Sequence, residues 1–240
     1  VVTIQSATVM IVNPNTTESM TDDVVAGARA AARASTRLVG STAAQGVESV
    51  EGNVDEVWGA LAVLDQVQRG EAMGVDGYVI ACFGDTGIAG ARETASGPVV
   101  GMTEAALFTA ALIAARFAII TLPPRTREQS RRVLRETGLE HRAVVRAIDV
   151  SVAEVAADST ALLDAVAEQS RQAIQDDAAE AIVLGCAGLA AITAPLAARL
   201  GAPVIDGVAA ALTMVEGLVA QGLSTSRIST YATPRQPEVR

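Results

Sequence analysis

The chain has 240 residues, half of them apolar, and carries 18 basic and 27 acidic side chains for a net charge of −9. That length allows one large or two modest domains with a sizeable core. The acidic balance argues against a nucleic-acid or anionic-membrane partner, each of which needs a basic face. All 18 basic residues are Arg, and without Lys there is neither a pyridoxal phosphate Schiff base nor a P-loop.

Two cysteines and one histidine fall short of a structural zinc site and of a disulfide scaffold. The stretch Val1 to Val12 has no basic region and no small-residue cleavage site, so no secretory leader is expected there. The most apolar segment, Ala105 to Leu122, contains Arg116 and is closed by Pro123-Pro124, too short and too interrupted to span a bilayer. The expectation is a cytoplasmic protein without a membrane partner.

In chain order, strands are predicted at Thr8 to Val12, Thr36 to Gly40, Gly77 to Ala81 and Pro98 to Val100. A second four follow at Phe117 to Thr121, Ala143 to Ile148, Ala181 to Leu184 and Pro203 to Ile205. The helices predicted between them include Thr17 to Ala34, Val54 to Met73, Arg127 to Thr137, Ser159 to Asp176, Leu189 to Leu200 and Val208 to Gln221. Short β-branched runs alternating with Ala-rich amphipathic stretches build a parallel sheet covered by helices on both faces. The fold class is α/β. With aromatics at 2%, the core must be close-packed Val, Ile, Leu and Ala.

The chain also repeats itself. Val75 to Gly84, ending Ala81-Cys82-Phe83-Gly84, is echoed by Ala178 to Gly188, ending Gly185-Cys186-Ala187-Gly188. Each copy is followed by a helix and a short Pro-initiated strand. Upstream, Ala7 to Thr16 pairs with Arg116 to Arg125, a strand entering a Pro-containing loop each time. Duplication of a four-stranded unit explains this pattern. Ligands of parallel sheets gather at the carboxyl ends of the strands, where both cysteines stand. A lone strand-end cysteine commonly packs as a small hydrophobe, but a matched pair in a repeat points to paired chemistry. Small-residue loops and helix N-termini after each cysteine offer N–H groups to negative charge, a setting expected to lower a thiol pKa. Two thiols facing one carbon suit a racemase that removes a proton from one side and returns one from the other.

Other constellations are weaker. His141 lies in a charge-dense segment without a nucleophile motif. Gly84, Gly87 and Gly90 have the wrong spacing for a dinucleotide loop. The seven Arg from Arg125 to Arg146 read as a solvated face. Asn13-Pro14-Asn15-Thr16 reads as a turn and helix cap, or as a site where the Asn13 amide meets a ligand carbonyl or ring N–H.

Taken together, Ile11-Val12-Asn13-Pro14-Asn15-Thr16, Glu51-Gly52 with Asp55-Glu56, Ala81-Cys82-Phe83-Gly84-Asp85, Thr121-Leu122-Pro123 and Val183-Leu184-Gly185-Cys186-Ala187-Gly188 resemble the aspartate/glutamate/hydantoin racemase superfamily. Within it they are most similar to the hydantoin and allantoin racemase branch. The resemblance covers nearly the whole chain. In the amino acid racemases the second cysteine is typically followed by Thr; here Ala187-Gly188 follows, which points away from free amino acids. A departure from the branch is Thr86, where Pro is usual.

The resemblance implies two similar flavodoxin-like domains, each a four-stranded parallel sheet flanked by helices, related by a pseudo-twofold axis. The first would comprise 1–103 plus 208–240, because the C-terminal helix returns to it, and the second 104–207. It implies a cofactor-independent enzyme that interconverts the enantiomers of 5-monosubstituted hydantoins, which are cyclic ureides, with Cys82 and Cys186 as the catalytic acid/base pair on opposite faces of C5. Asn13, Phe83, Gly84, Thr121, Ala187 and Gly188 would bind substrate, and no metal would take part. Ala-rich helices and the resemblance together favour a homo-oligomer. Allantoin racemisation, arylmalonate decarboxylation or maleate isomerisation on the same scaffold remain open, as does a two-lobed small-molecule binding protein with structural cysteines.

Overall fold

The computed structural model describes residues 6–150 and 159–234, so the stretch Val1 to Val12 is seen only from Ser6. Two four-stranded, all-parallel sheets form, as the alternation predicts. The first has the order β2-β1-β3-β4, with β1 at Thr8–Asn13, β2 at Arg37–Thr42, β3 at Gly77–Ile80 and β4 at Val99–Gly101. The second repeats it as β6-β5-β7-β8, with β5 at Phe117–Thr121, β6 at Ala143–Ala147, β7 at Ala181–Gly185 and β8 at Val204–Ile205. Strands β3, β5 and β7 are buried at every residue, which is why they read as unbroken apolar runs. The edge strand β6 is half-buried throughout.

Among the described residues, eight α-helices flank the sheets: α1 Glu18–Arg29, α2 Asn53–Met73, α3 Ile88–Thr94, α4 Met102–Ile113, α5 Arg127–Glu136, α6 Ser159–Asp176, α7 Thr193–Leu200 and α8 Gly207–Ala220. Side chains on alternate faces of a strand go to opposite layers. Accordingly, Val9, Ile11 and Val79 pack with Val24 of α1 and Val208 and Leu212 of α8. Their neighbours Met10, Tyr78 and Ile80 pack with Val63 and Val67 of α2 and Ala91 of α3. In the second sheet, Ile119 and Val183 meet Leu107 of α4 and Val133 of α5, while Ile120 and Leu184 meet Val166 of α6 and Leu196 of α7.

Helix α4 joins the halves. Its Met102 and Ala105 belong to the core of the first sheet, and its Ala106, Leu107 and Ala110 to that of the second. The expected boundary between residues 103 and 104 falls in its first turn. Helix α3 is the helix expected between the first copy of the repeat and the strand at Pro98, whereas α4 is not among the predicted helices. The apolar stretch Ala105 to Leu122 is in fact the end of α4, a three-residue break and β5. The helix expected at Leu189 to Leu200 divides into a 3₁₀ segment, Ala187–Ile192, and α7. Helix α1 stops at Arg29 rather than Ala34. No helix among the described residues is long and apolar enough to cross a membrane.

Candidate active site

Strands β3 and β7 occupy the same position in their sheets, and the chain leaves their carboxyl ends into Cys82 and Cys186. Both cysteines line one narrow cavity, with Pro14, Asn15 and Ala81 from the first half and Thr121, Leu122 and Gly185 from the second. The space inside it is small, ≈ 40 Å³. Met20, Val50, Phe83 and Ala187 make much of the wall apolar; Thr126 and Gln129 add polar groups. Glycine is required at 185, because a Cβ there would come within 2.8 Å of the Ile120 carbonyl oxygen and of Thr121.

Cys82 is half-buried and Cys186 buried, and both are free thiols. The Thr86 hydroxyl donates to Cys82 Sγ at 3.4 Å, and the thiol faces the Phe83 carbonyl at 3.8 Å. Burial pushes the Cys82 thiol up to about 12 against the lowering effect of Thr86, with smaller contributions from Cys186, Asp85 and Glu56. Cys186 is pushed up to about 11 by burial, opposed by the Gly188 N–H and reinforced by Glu51. The sequence expectation of depressed thiol pKa values is therefore reversed. Each loop does supply a donor to its sulfur, but one weak hydrogen bond does not offset the desolvation of a thiolate.

The loop after Cys82 is clamped. Gly84 and Asp85 both have positive φ, 108° and 52°. The Gly84 N–H donates to Thr103 Oγ1 at 2.8 Å. Both oxygens of the Asp85 carboxylate accept N–H groups at the start of α4, from Thr103 at 2.8 Å and Glu104 at 2.9 Å. Burial, with the Glu104 charge, nevertheless pushes the Asp85 carboxyl up to about 7.

Of the residues expected to bind substrate, Phe83, Thr121 and Ala187 line the cavity. The Gly84 N–H points away into Thr103, and the Gly188 N–H serves the Cys186 sulfur. The Thr121 hydroxyl shares a 2.7 Å hydrogen bond with Thr126. Asn13 lies outside the lining: its buried amide donates to Asn15 Oδ1, the Thr17 carbonyl and Thr21 Oγ1, and its Oδ1 accepts the Asn15 N–H. Asn13 thus shapes the loop that presents Asn15. The Asn15 Oδ1 accepts from Asn13 and from the Thr17 N–H at 3.0 Å. That arrangement fixes its amide and leaves Nδ2 against Met20 Sδ at 3.2 Å, a weak acceptor. Asn15 stood in the sequence motif, but only the turn geometry tells which Asn faces the cavity. No group of three or more His, Cys, Asp or Glu side chains among the described residues is placed to hold a metal ion.

The profile of the Asp/Glu/Hydantoin racemase family matches residues 9–215. The chain is 41% identical over 226 residues to a hydantoin racemase of Rhizobium meliloti, covering 94% of each chain. It is 36% identical over 231 residues to a hydantoin racemase of Pseudomonas sp. (strain NS671), covering 96% of this chain and 93% of the other. Among solved structures, allantoin racemase from Klebsiella pneumoniae superposes with a TM-score of 0.94 at 41% identity, over 96% of this chain and 95% of that one.

Proposed function

Because the chain belongs to the Asp/Glu/Hydantoin racemase family and is an isomerase of the racemase type, we propose that it interconverts the enantiomers of 5-monosubstituted hydantoins by two-base proton transfer. The observation that carries this reading is the placement of Cys82 and Cys186 at equivalent strand ends of two repeated sheets, both lining one cavity. Hydantoin C5–H is adjacent to a ring carbonyl, so its removal gives an enolate whose oxygen carries the charge. One cysteine, as thiolate, takes the proton from one face; the other, as thiol, delivers a proton to the opposite face. After the reaction the protonation states are exchanged.

Burial makes the thiolate costly in the free protein, and it also makes it a strong base. A substrate filling the cavity excludes water and supplies the dipoles of two carbonyls and a ring N–H. The Phe83 and Ala187 N–H groups, on residues lining the cavity, are suited to hold the enolate oxygen; such preorganised donors are worth most where water is excluded. Asn15 Nδ2, whose protein acceptor is only a thioether, is suited to donate to a second ring carbonyl. Asn13 then acts behind it as the support of the turn.

The similarity to an allantoin racemase supports allantoin as an alternative substrate of the same chemistry. A decarboxylase of this scaffold needs one thiol, so the pair favours racemisation. The exposed stripe Val54, Val57, Trp58 and Leu61 on α2 supports the expected homo-oligomer. The test is incubation with several 5-substituted hydantoins and allantoin in D2O, following optical rotation and the C5 proton signal together. Loss of rotation with loss of the C5 proton is expected. Binding without either change would sink the enzymatic reading in favour of a two-lobed binding protein.

A further inference from the structure

We propose that Arg132 is a positioning residue, which ties closure of the cleft between the two halves to placement of the loop that carries Cys82. The kinetic part of this proposal rests on the racemase reading above; the geometric part does not.

Arg132 lies on α5, which packs on the second sheet, whereas Glu56 lies in the first turn of α2, which packs on the first. Between them runs a two-pronged ion pair: Nη1 to Glu56 Oε2 at 3.1 Å and Nη2 to Glu56 Oε1 at 2.5 Å. The same Nη2 also donates to the Gly84 carbonyl at 3.0 Å. Gly84 is thus held on both sides, its N–H by Thr103 of α4 and its carbonyl by Arg132 of α5, two residues after Cys82. The grip is only partly open to water, with the Glu56 side chain 19% and Arg132 37% exposed.

The space between the thiols is small, ≈ 40 Å³, and Arg132 bridges the two halves that enclose it. A movement that separates α5 from α2 would pull Arg132 from Glu56. Closure restores the fork, and in the same motion returns a donor to the Gly84 carbonyl. A planar guanidinium can serve a carboxylate and a carbonyl at once; an ammonium on a flexible stem cannot reproduce that geometry. Arg132 also neutralises Glu56, one of the charges that disfavour a thiolate at Cys82.

The test compares Arg132→Ala, Arg132→Lys, Glu56→Gln and the double variant Arg132→Ala/Glu56→Gln. Amide hydrogen exchange, read by mass spectrometry, should quicken at least about tenfold in the peptide spanning residues 81–88 of Arg132→Ala, and remain unchanged at residues 186–192. In the kinetics, kcat should fall toward roughly 10²-fold, the scale of a base displaced by about an ångström, with KM changing much less. Lys at 132 should recover only part of the loss. The double variant should be no slower than Arg132→Ala, because the two residues act as one device. Unchanged exchange at 81–88 would overturn the proposal whatever the activity. A kcat within twofold of the parent in Arg132→Ala would overturn it too. If the parent protein racemises nothing, the racemase reading falls, and the exchange result alone then decides whether Arg132 holds the loop.

Discussion

The Thr86 hydroxyl donates to the sulfur of Cys82 at 3.4 Å, a hydrogen bond that favours thiolate at that position. The residue departs from the racemase branch that the sequence resembles, in which proline is usual; a proline could not make this bond. Thr86→Val, nearly isosteric, removes the donor alone. Cys82 should then react with iodoacetamide up to about tenfold more slowly at a fixed pH, the value of one modest hydrogen bond, while Cys186 is unaffected. Equal slowing of both cysteines would show that the substitution disturbs the cavity rather than one sulfur.

Cys82→Ser and Cys186→Ser should each abolish racemisation while leaving the fold intact. Each remaining thiol should still exchange the C5 proton of one enantiomer for solvent deuterium, slowly and with retention, and the two variants should act on opposite enantiomers. Chiral chromatography with mass detection reads both outcomes. Exchange of the same enantiomer by both variants would replace two opposed thiols with a single base.

The pH behaviour of the thiols follows from burial. With Cys82 at about 12 and Cys186 at about 11, alkylation of the free protein should be slow at neutral pH and should climb up to those values, Cys186 first. The link to stability has a definite sign. In the folded chain the thiols keep their protons to higher pH than in the unfolded one, so the unfolded state binds fewer protons above the ordinary thiol value of 9.0, and stability falls between there and about 11 to 12. Urea midpoints at pH 8, 10 and 11 should show that decline, and its reduction in the double Cys→Ser variant would assign that share to these two groups, because the Tyr78 phenol, raised by burial and by Glu71, adds its own loss above 10.0.

Asn13 and Asn15 should separate on substitution. Asn13→Ala leaves several loop groups without a partner and should cost about 1–3 kcal/mol of stability, with activity falling as the loop loosens. Asn15→Ala should leave the melting temperature nearer the parent's and strike kcat, by roughly 10²- to 10³-fold if its amide holds a ring carbonyl as charge develops. Circular dichroism melts beside steady-state kinetics distinguish the two. The reverse pattern would return the substrate contact to Asn13.

Gly185→Ala should destabilise the second sheet, because the new Cβ meets β5 backbone at 2.8 Å. Overpacking of this kind costs typically 1–3 kcal/mol. A variant as stable as the parent would mean that β5 and β7 can part at this point without loss.

The cysteine pair was legible in the sequence because a duplicated strand–loop unit marks equivalent positions, and the parallel sheets because strands buried on both faces leave continuous apolar runs. The protonation of the thiols was not legible. Donors near a sulfur can be read from loop composition, whereas desolvation depends on how the halves close over it. The choice between Asn13 and Asn15 depends on the turn between them, and the fate of the Gly84 N–H on Thr103, which is 19 residues away. The Glu56–Arg132 pair spans 76 residues, and nothing local in either helix announces it. Helix α3, seven residues long between Gly87 and Ala95, is too short for periodicity to mark its ends and is legible only from the repeat, which places a helix after its first copy.

The surroundings of the two sulfurs are unlike, a hydroxyl from Thr86 on one and a backbone N–H from Gly188 on the other. For a racemisation, thermodynamics limits what that difference can achieve. Mirror-image molecules have equal free energies in water, so the two directions must share the same kcat/KM however dissimilar the groups that face them. The inequality of the thiols can therefore surface only as compensating changes in turnover and saturation: the enantiomer bound more tightly must be the one converted more slowly, by the same factor. A mutation that alters one sulfur's environment, as Thr86→Val does, shifts how the protein divides its time between its two bound forms without ever biasing the mixture it leaves behind.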